Sequence, residues 1–351
     1  MAQIKVAIVG VGNCAKSFVE GVGFYTKNSS DEVGLMHPEI GGYRPSDINV
    51  VAAFDIDERK VGKKLHEAIR ATPNRTVKIA DPLESNVMVQ RGPTHDSVIE
   101  EMREHFIHES KEPPVDVAEV LKTSGAEIVV SYLPTGSDKA TYAYAEAALA
   151  ANCSFINCMP TPIAKDQSWR KRFEEKGLVL MGDDIKSQLG ATILNRVLLS
   201  LLKMRGIKVT KSEQVNYGGN ADHFNLHYRP EAKEASKEDA LTSVLSEGDA
   251  KPSARMIYTE KNYDHKQAKI KITGEIWGHI PISIDLALED EDSPNSAGVV
   301  IDAIRAAKAL IDNGEHAKAG EACSFLMKSP PVQYSDEKAL ERFRKVIGLA
   351  T

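Results

Sequence analysis

The chain has 351 residues, 42% of them hydrophobic, and a formal net charge of -6 at pH 7. That length is enough for two domains, and the acidic balance argues against nucleic acid or an anionic membrane as partner, since both bind basic faces. The four cysteines show neither a disulfide pattern nor zinc-ligand spacing. The first residues lead into a short apolar run that is no export signal or membrane span. We therefore expect a cytoplasmic protein with reduced thiols and a small metabolite as its partner.

The first element is a β-branched apolar run at residues 4–10, followed by a glycine-containing loop and a helix. Strand, glycine turn and helix in this order are typical of a dinucleotide site. The first glycine permits the tight turn, the second lets a pyrophosphate approach the backbone, and a third small residue allows close helix packing. The loop residues predicted to bind the cofactor are Gly10, Gly12, Asn13, Cys14 and Ala15.

The second strand is predicted at residues 48–57, with Asp55 at its end. An acid at this point binds ribose hydroxyls and favours NAD over NADP, although Arg59 lies close enough in sequence to keep NADP open. The alternative for Asp55 is a solvated strand end. Residues 24–46 separate the two strands and are rich in Gly, Pro and Ser, which predicts an inserted loop.

Residues 63–119 are polar and irregular and are predicted to be a decorated connection. After them, apolar strands alternate with helical segments, which predicts a parallel, doubly wound sheet. Ligands bind at the carboxyl ends of such strands. Ser131, Asn157 and the segment 182–190 are therefore expected to share one crevice.

The segment 179–202 is predicted to be a buried strand, a polar turn with Asp184 and Ser187, and a long apolar helix. A helix N-terminus offers unpaired N–H groups and a favourable dipole for a phosphate. Alternatively, Asp184 is only the N-cap of the helix, and the small residues serve packing. The residues leave both interpretations open.

Polar side chains are dense in the segment 212–226, where Asn216, Asn220 and Asp222 follow a strand. Amides and carboxylates can bind the hydroxyls of a polyol, and a plain Asn/Gly turn is the alternative.

Farther along, alternating apolar residues at 270–288 predict a hairpin with one apolar face, and hence a second domain with an open sheet that could serve oligomerisation. A helix that ends at Gly314 and a last helix at about 335–346 complete the chain.

Six stretches together resemble myo-inositol-1-phosphate synthase of the bacterial and archaeal type, over nearly the whole chain. They are GVGNCAKS, GDDIKSQLGAT, NYGGNADHFNL, KEASKEDA, DSPNSAG and SFLMKSPP. The resemblance implies an α/β fold: an NAD-binding Rossmann domain with a doubly wound parallel sheet (residues 1–185 and 299–351) and a second α+β domain for catalysis and oligomerisation (residues 186–298). It also implies a homotetramer formed through the sheet of the second domain.

The same resemblance implies an isomerase that converts D-glucose 6-phosphate to 1L-myo-inositol 1-phosphate, the first step of inositol and inositol-phospholipid biosynthesis. NAD would remain bound and be reduced and reoxidised in each turnover. No metal cluster is predicted, but an activating cation of unknown identity stays open, with Asp183 as one candidate ligand.

Individual residues acquire roles through the resemblance. The catalytic positions are the four lysines Lys233, Lys237, Lys266 and Lys328, together with Asp292 as an acid paired with them. The substrate positions are Asp184, Ser187, Gln188, Asn216, Asn220 and Asp222. The cofactor positions are Gly10, Gly12, Asn13, Cys14, Ala15, Asp55, Ser131 and Asp184.

Buried ammonium groups suit such a reaction, because a phosphate and a developing oxyanion both need fixed positive charge. A crowded or desolvated lysine can also lose its proton and act as a base near neutrality. We expect Lys233 and Lys328 to move the proton of the C5 hydroxyl and Lys266 to stabilise the oxyanion. Lys237 and the turn at 187–190 are expected to bind the phosphate.

Two other classes of protein share part of this pattern. An ordinary two-domain NAD(P)-dependent dehydrogenase would explain the first half but not the set of lysines. A non-catalytic NAD-binding sensor would need neither the lysines nor the polar segment 212–226. Net production of NADH distinguishes the dehydrogenase, and NAD binding without any sugar-phosphate effect distinguishes the sensor.

Overall fold

The computed structural model describes residues 3–349, in which ten strands form two sheets and α-helices cover them. The strands are β1 (Ile4–Val9), β2 (Ile48–Asp55), β3 (Val89–Arg91), β4 (Ile128–Ser131), β5 (Ser154–Asn157), β6 (Leu180–Met181), β7 (Lys208–Gly218), β8 (Ser253–Tyr258), β9 (His265–Glu275) and β10 (Pro281–Glu291). The helices are α1 (Asn13–Lys27), α2 (Leu65–Ala68), α3 (Glu100–His105), α4 (Val117–Ser124), α5 (Asp138–Ala150), α6 (Gln167–Glu174), α7 (Ala191–Met204), α8 (Ala221–Tyr228), α9 (Glu231–Thr242), α10 (Asp292–Asp312), α11 (Ala319–Leu326) and α12 (Asp336–Val346).

The first sheet is parallel and has six strands in the order β3-β2-β1-β4-β5-β6. Its central strands β1 and β4 are almost fully buried, as expected of a parallel sheet with helices on both faces. The strand order reverses between β1 and β4, which creates a crevice at their carboxyl ends. The predicted doubly wound, Rossmann-like sheet is confirmed.

The chain returns to this first sheet near its end. The long helix α10 packs beside α1 against β1, where Val300 and Ile304 join Ile8 and Phe18 in one apolar core. The opposite face of the sheet is covered by α4 and α5. The predicted domain boundaries stay a prediction.

The second sheet has four strands in the order β10-β9-β7-β8. The predicted hairpin is present as the antiparallel pair β9 and β10, with Ile272 opposite Ile284. Its apolar face packs on α7, where Leu199 and Leu202 meet Ile270. The strand β7 also pairs with β9, so the hairpin belongs to a larger mixed sheet.

Two local expectations were wrong. The predicted loop at 24–46 begins with helix, because α1 continues to Lys27. Gly21 and Gly23 lie directly before this part of α1, and they obscured the helix in the sequence because glycine is a poor helix former. The irregular connection at 63–119 contains β3, which has only three residues and pairs with the end of β2. So short a strand carries no periodic pattern.

None of the helices within residues 3–349 is long and apolar enough to cross a membrane.

Candidate active site

One cleft lies at the carboxyl ends of the parallel strands, and residues from both sheets line it. The glycine loop after β1 forms one end of its lining, and the four predicted lysines also line it. The predicted site residues that line the cleft are Gly10, Gly12, Asn13, Cys14, Asp55, Ser187, Asn216, Asn220, Asp222, Lys233, Lys237, Lys266, Asp292 and Lys328.

The glycine loop has the geometry of a dinucleotide cradle. Gly10 has a φ of 89°, and a Cβ on it would lie 2.9 Å from the Tyr132 carbonyl oxygen. Gly12, in contrast, has open space where its Cβ would stand. The first hydrogen bond of α1 is donated by Lys16 to the Gly12 carbonyl, so the preceding N–H groups remain available to an anion.

Asp55 stands at the end of β2, where its carboxylate anchors the loop. One oxygen accepts from the Val11 N–H at 2.8 Å, and the buried Lys60 ammonium lies 3.6 Å from that oxygen. Arg59 faces elsewhere, because its guanidinium is held by Asp57 and by the Phe106 carbonyl. The cation beside the predicted ribose acid is therefore Lys60 and not Arg59.

The carboxylate of Asp184 binds two lysines that line the cleft. Its Oδ1 accepts from Lys233 Nζ at 2.7 Å and from Lys328 Nζ at 3.0 Å, and its Oδ2 accepts from Ser236 Oγ at 2.8 Å. Burial opposes its charge, but the two ammonium groups outweigh burial and hold the Asp184 pKa below its usual range. The pKa of Lys233 is raised despite burial, whereas burial lowers that of Lys328. The interpretation of Asp184 as the cap of α7 is wrong, because that helix is capped by Gly190.

The other two lysines differ in their partners. Lys266 forms an ion pair with Asp292, and the attraction of Asp292 and Asp290 raises the Lys266 pKa against the effect of burial. Lys237 makes no ion pair with a residue in the range 3–349 and contacts the Met256 sulfur. Burial and the neighbouring lysines therefore place its pKa well below the ordinary value.

The start of α7 presents hydrogen-bond donors to the cleft. The N–H groups of Ala191, Thr192 and Ile193 precede the first hydrogen bond of this helix, which Leu194 donates to Gly190. These residues and the half-buried Ser187 line the cleft. Free N–H donors, a hydroxyl and the helix dipole together suit a phosphate.

The polar segment after β7 is partly structural. Asn216 donates to the Arg255 carbonyl at 3.0 Å, and Asn220 caps α8 by accepting from the His223 N–H at 2.9 Å. Asp222 has a buried Oδ1 with no hydrogen-bond partner among residues 3–349, and burial raises its pKa. Of the three residues, Asp222 thus has the freest acceptor for a ligand.

Four predicted site residues do not line the cleft. Ala15 belongs to the apolar core, Ser131 is fully buried at the end of β4, and Asp184 acts from below through its lysines. Gln188 points away, since its Nε2 donates to the Gly34 carbonyl at 2.6 Å. The resemblance could not reveal that side-chain direction.

Asp183, the candidate cation ligand, is held by protein donors. Its carboxylate accepts from Asn157 Nδ2 at 2.8 Å and from the Ala164 and Lys165 N–H groups, and burial raises its pKa to about 7. Within residues 3–349 there is no group of three or more His, Cys, Asp and Glu side chains that could hold a metal ion.

Sequence reasoning missed several polar residues of the cleft. Lys186 lies within the GDDIKS stretch, and His223 directly follows Asp222. Both residues line the cleft. Burial lowers the pKa of Lys186 to about 8 and that of His223 to about 4. Arg196 lines it as well and is almost fully buried. The spacing of the apolar residues predicted the helix α7, but it did not predict that Arg196 within this helix would be buried.

The fold and cleft define a two-sheet α/β protein with a Rossmann-like sheet and a lysine-rich cleft. The family model for myo-inositol-1-phosphate synthase matches residues 190–293. The inositol-3-phosphate synthase of Corynebacterium glutamicum is 44% identical over 358 residues, covering 99% of this chain and 98% of its own. The chain belongs to the myo-inositol-1-phosphate synthase family, which confirms the predicted family and its synthase class.

Solved structures agree over the whole length. The crystal structure of Ari2 is 34% identical and has a TM-score of 0.80, covering 99% of this chain and 98% of its own. A myo-inositol-1-phosphate synthase-related protein from Thermotoga maritima has a TM-score of 0.77 at 23% identity and covers 99% of each chain. The latter shows the shared fold.

Proposed function

We propose that the protein converts D-glucose 6-phosphate to 1L-myo-inositol 1-phosphate with NAD that is recycled in each turnover. The observation that carries this proposal is the convergence of four lysines, three of them bound to Asp184 or Asp292, on a cleft that also contains the glycine loop. A family synthase of this kind must bind a phosphate, accept protons and stabilise an oxyanion in one enclosed site.

The residues of the loop fit NAD. The open space at Gly12 admits a pyrophosphate, the N–H groups at the start of α1 can bind it, and Asp55 can accept from ribose hydroxyls. When bound, NAD would supply a reversible hydride acceptor for C5 of the sugar. The remaining chemistry belongs to the side chains of the chain.

Lys328 is the base that we propose at the C5 hydroxyl. Its lowered pKa gives a larger neutral fraction than an ordinary lysine, and the Asp184 oxygen at 3.0 Å holds its amine in place. Lys233 has a raised pKa and stays charged, so it is better suited to stabilise an oxyanion than to accept a proton. This revises the expectation that both lysines share the proton.

The other two lysines differ in the charge that they bring to the cleft. Lys266 is held by Asp292 and remains a cation that can stabilise an enolate oxygen. Lys237 has the strongly lowered pKa, so an approaching phosphate would favour its protonation. Together with Ser187 and the start of α7 it forms the phosphate end that we propose.

The test follows phosphorus NMR of the protein with glucose 6-phosphate and NAD far below the substrate concentration, while NADH absorbance is recorded. We expect inositol 1-phosphate over many turnovers without accumulation of NADH. Loss of substrate only in step with NADH would instead establish a dehydrogenase. Binding of NAD with no conversion would favour the sensor once added cations had also failed to give turnover.

We further propose a homotetramer and a cytoplasmic location. Three apolar side chains on one face of α7 are exposed: Val197 (50%), Leu201 (46%) and Met204 (71%). An exposed apolar stripe of this kind supports contact with another copy of the chain. All four cysteines are free thiols, which fits a reducing compartment.

A further inference from the structure

His223 lies in the first turn of α8 and lines the cleft. Its ring is 2% exposed and packs over Gly218, where an added Cβ would lie 2.5 Å from the ring. The absence of a side chain at residue 218 thus makes room for the imidazole. Burial and three neighbouring lysines lower the His223 pKa, although Asp292 acts in the opposite direction. The ring is therefore neutral at physiological pH.

The hydrogen bonds of Asn220 determine which ring nitrogen carries the hydrogen. Asn220 Nδ2 donates to Asp264 Oδ1 at 2.8 Å, which turns the Asn220 amide oxygen toward His223. That oxygen accepts from the His223 N–H and lies 3.1 Å from His223 Nδ1. Because an amide oxygen can only accept, Nδ1 must donate. The neutral ring therefore presents Nε2 as a bare acceptor.

This acceptor has no hydrogen-bond partner among residues 3–349, although it is buried. A buried polar atom without a partner costs free energy of about 1–3 kcal/mol, so its retention calls for a ligand or a water. The residues behind it form a hydrogen-bonded network. Asp264 also accepts from Asn13 Nδ2 at 3.2 Å and from Ser293 Oγ at 2.9 Å, which connects His223 to the glycine loop and to the start of α10.

The chemistry of the cleft indicates which ligand group this acceptor serves. The charged lysines Lys233 and Lys266 are donors only, so they bind oxygens of a sugar phosphate but satisfy none of its hydroxyl hydrogens, and Lys328 is the base assigned to the C5 hydroxyl alone. A polyol needs acceptors as well. Within the described residues His223 Nε2 is one such acceptor, and Asp222 Oδ1 nearby in sequence is another.

We propose that His223 Nε2 accepts a hydrogen bond from one hydroxyl of the sugar phosphate and so selects the hydroxylated substrate over its deoxy analogue. The inference rests on the proposed function and deepens it by naming a residue that determines specificity. His223 moves no proton in this role. It binds a hydroxyl through the lone pair of Nε2, and the hydrogen bonds of Asn220 and Asp264 orient the ring.

The test compares the wild type with His223→Phe, which keeps a flat ring but removes both nitrogens. Titration calorimetry with NADH present, which prevents turnover, measures binding of glucose 6-phosphate and of its 2-, 3- and 4-deoxy analogues. We expect His223→Phe to bind glucose 6-phosphate roughly tenfold more weakly, as for one lost hydrogen bond to a buried group. One deoxy analogue should bind both proteins equally. His227→Phe, on the exposed side of the same helix, is the matched control and should bind like the wild type.

Two results would overturn the inference: unchanged affinity in His223→Phe, or equal weakening toward glucose 6-phosphate and all three deoxy analogues. Should the variant fail to fold, nitrogen-15 NMR of histidine-labelled wild type provides the test. The Nε2 signal should be that of an unprotonated nitrogen and should shift when glucose 6-phosphate is added. A protonated Nε2, or no shift at saturating ligand, contradicts the inference.

Failure of this inference is distinguishable from failure of the proposed function. Normal conversion in the phosphorus NMR assay with unchanged binding by His223→Phe rejects only the role of His223. Binding of glucose 6-phosphate without conversion rejects the synthase, while the affinity comparison still decides whether His223 reads a hydroxyl.

Discussion

Lys328 is bound to Asp184 twice: its Nζ lies 3.0 Å from Asp184 Oδ1, and its backbone N–H donates to the Asp184 carbonyl at 2.7 Å. The two residues are far apart in sequence, so this double contact fixes the segment after α11 against the end of β6. Backbone and side-chain contacts therefore both position Lys328 in the cleft. Lys233 and Ser236 of α9 bind the same carboxylate, which connects the two sheets through one acid.

Asp184→Asn should destabilise the protein by about 3–5 kcal/mol at pH 7, because it leaves two buried ammonium groups without their counter-ion. Since the folded pKa of Asp184 is depressed, its contribution is present above the unfolded pKa of about 4 and is lost as the pH falls toward the folded value. Urea unfolding at several pH values measures both effects.

The matched control for this variant is Glu146→Gln, which breaks the exposed ion pair between Glu146 and Arg172. It should cost less than about 1 kcal/mol, as is usual for surface pairs. Equal losses in the two variants would show that Asp184 is not needed to compensate the charge of the buried lysines.

Lys328→Met should reduce turnover by about a hundredfold or more, in line with the loss of a general base. Methionine retains an unbranched chain, so NAD affinity and the circular dichroism spectrum should match the wild type. Steady-state kinetics from inositol 1-phosphate formation provides the measurement. Turnover within about threefold of the wild type would remove Lys328 from proton transfer.

Lys237→Met should raise stability at pH 7 while lowering activity, because the wild type holds an amine in the cleft with a strongly lowered pKa. Between the folded pKa and about 10.4 the unfolded chain binds a proton that the folded chain lacks, so the wild type gains stability as pH rises. The advantage of the variant should shrink by about 1.4 kcal/mol per pH unit in that window.

Denaturant unfolding at pH 7 to 10 measures the Lys237→Met difference. The exposed Lys211 supplies the control, and Lys211→Met should change stability by less than about 0.5 kcal/mol at every pH. A difference between Lys237→Met and wild type that stays constant with pH would mean that Lys237 is charged in the folded protein.

The sequence predicted the elements that carry a clear period or turn residue. Thus β1 with its glycine loop, β9 with β10, and α7 were recognised, whereas the three-residue β3 had too few residues to show a pattern. Among the site residues, the lysines came from motif resemblance and not from spacing. The pairing of Asp292 with the lysines came from the same resemblance, whereas the contact of Lys328 with Asp184 could not be predicted, because 144 positions separate the two residues in the sequence.

Side-chain direction was the second limit. Gln188 and Ser187 are neighbours, yet only Ser187 lines the cleft, since Gln188 bonds to the Gly34 carbonyl. His223 was overlooked because a histidine within an Asn- and Asp-rich segment resembles a turn residue until the neighbouring Asn220 amide is placed.

The exposed stripe on α7 predicts the assembly state. Replacing Val197 and Leu201 together by glutamate would place charge in the contact proposed between copies, so light scattering should show a mass below that of the wild type. Glutamate at the exposed Val33 is the control and should leave the mass unchanged. A double variant with the wild-type mass would exclude this face from the interface.

The two loop glycines should respond oppositely to alanine. Gly12→Ala adds a methyl group into open space on the cofactor side, so the protein should keep its stability but bind NAD about tenfold or more weakly. Gly10→Ala should instead lower stability by about 1–3 kcal/mol, because a φ of 89° and a Tyr132 oxygen 2.9 Å away both oppose a Cβ. Calorimetric titration with NAD and urea unfolding, applied to both variants, separate the two effects. Unchanged NAD affinity in a stably folded Gly12→Ala would mean that the pyrophosphate does not lie over this loop.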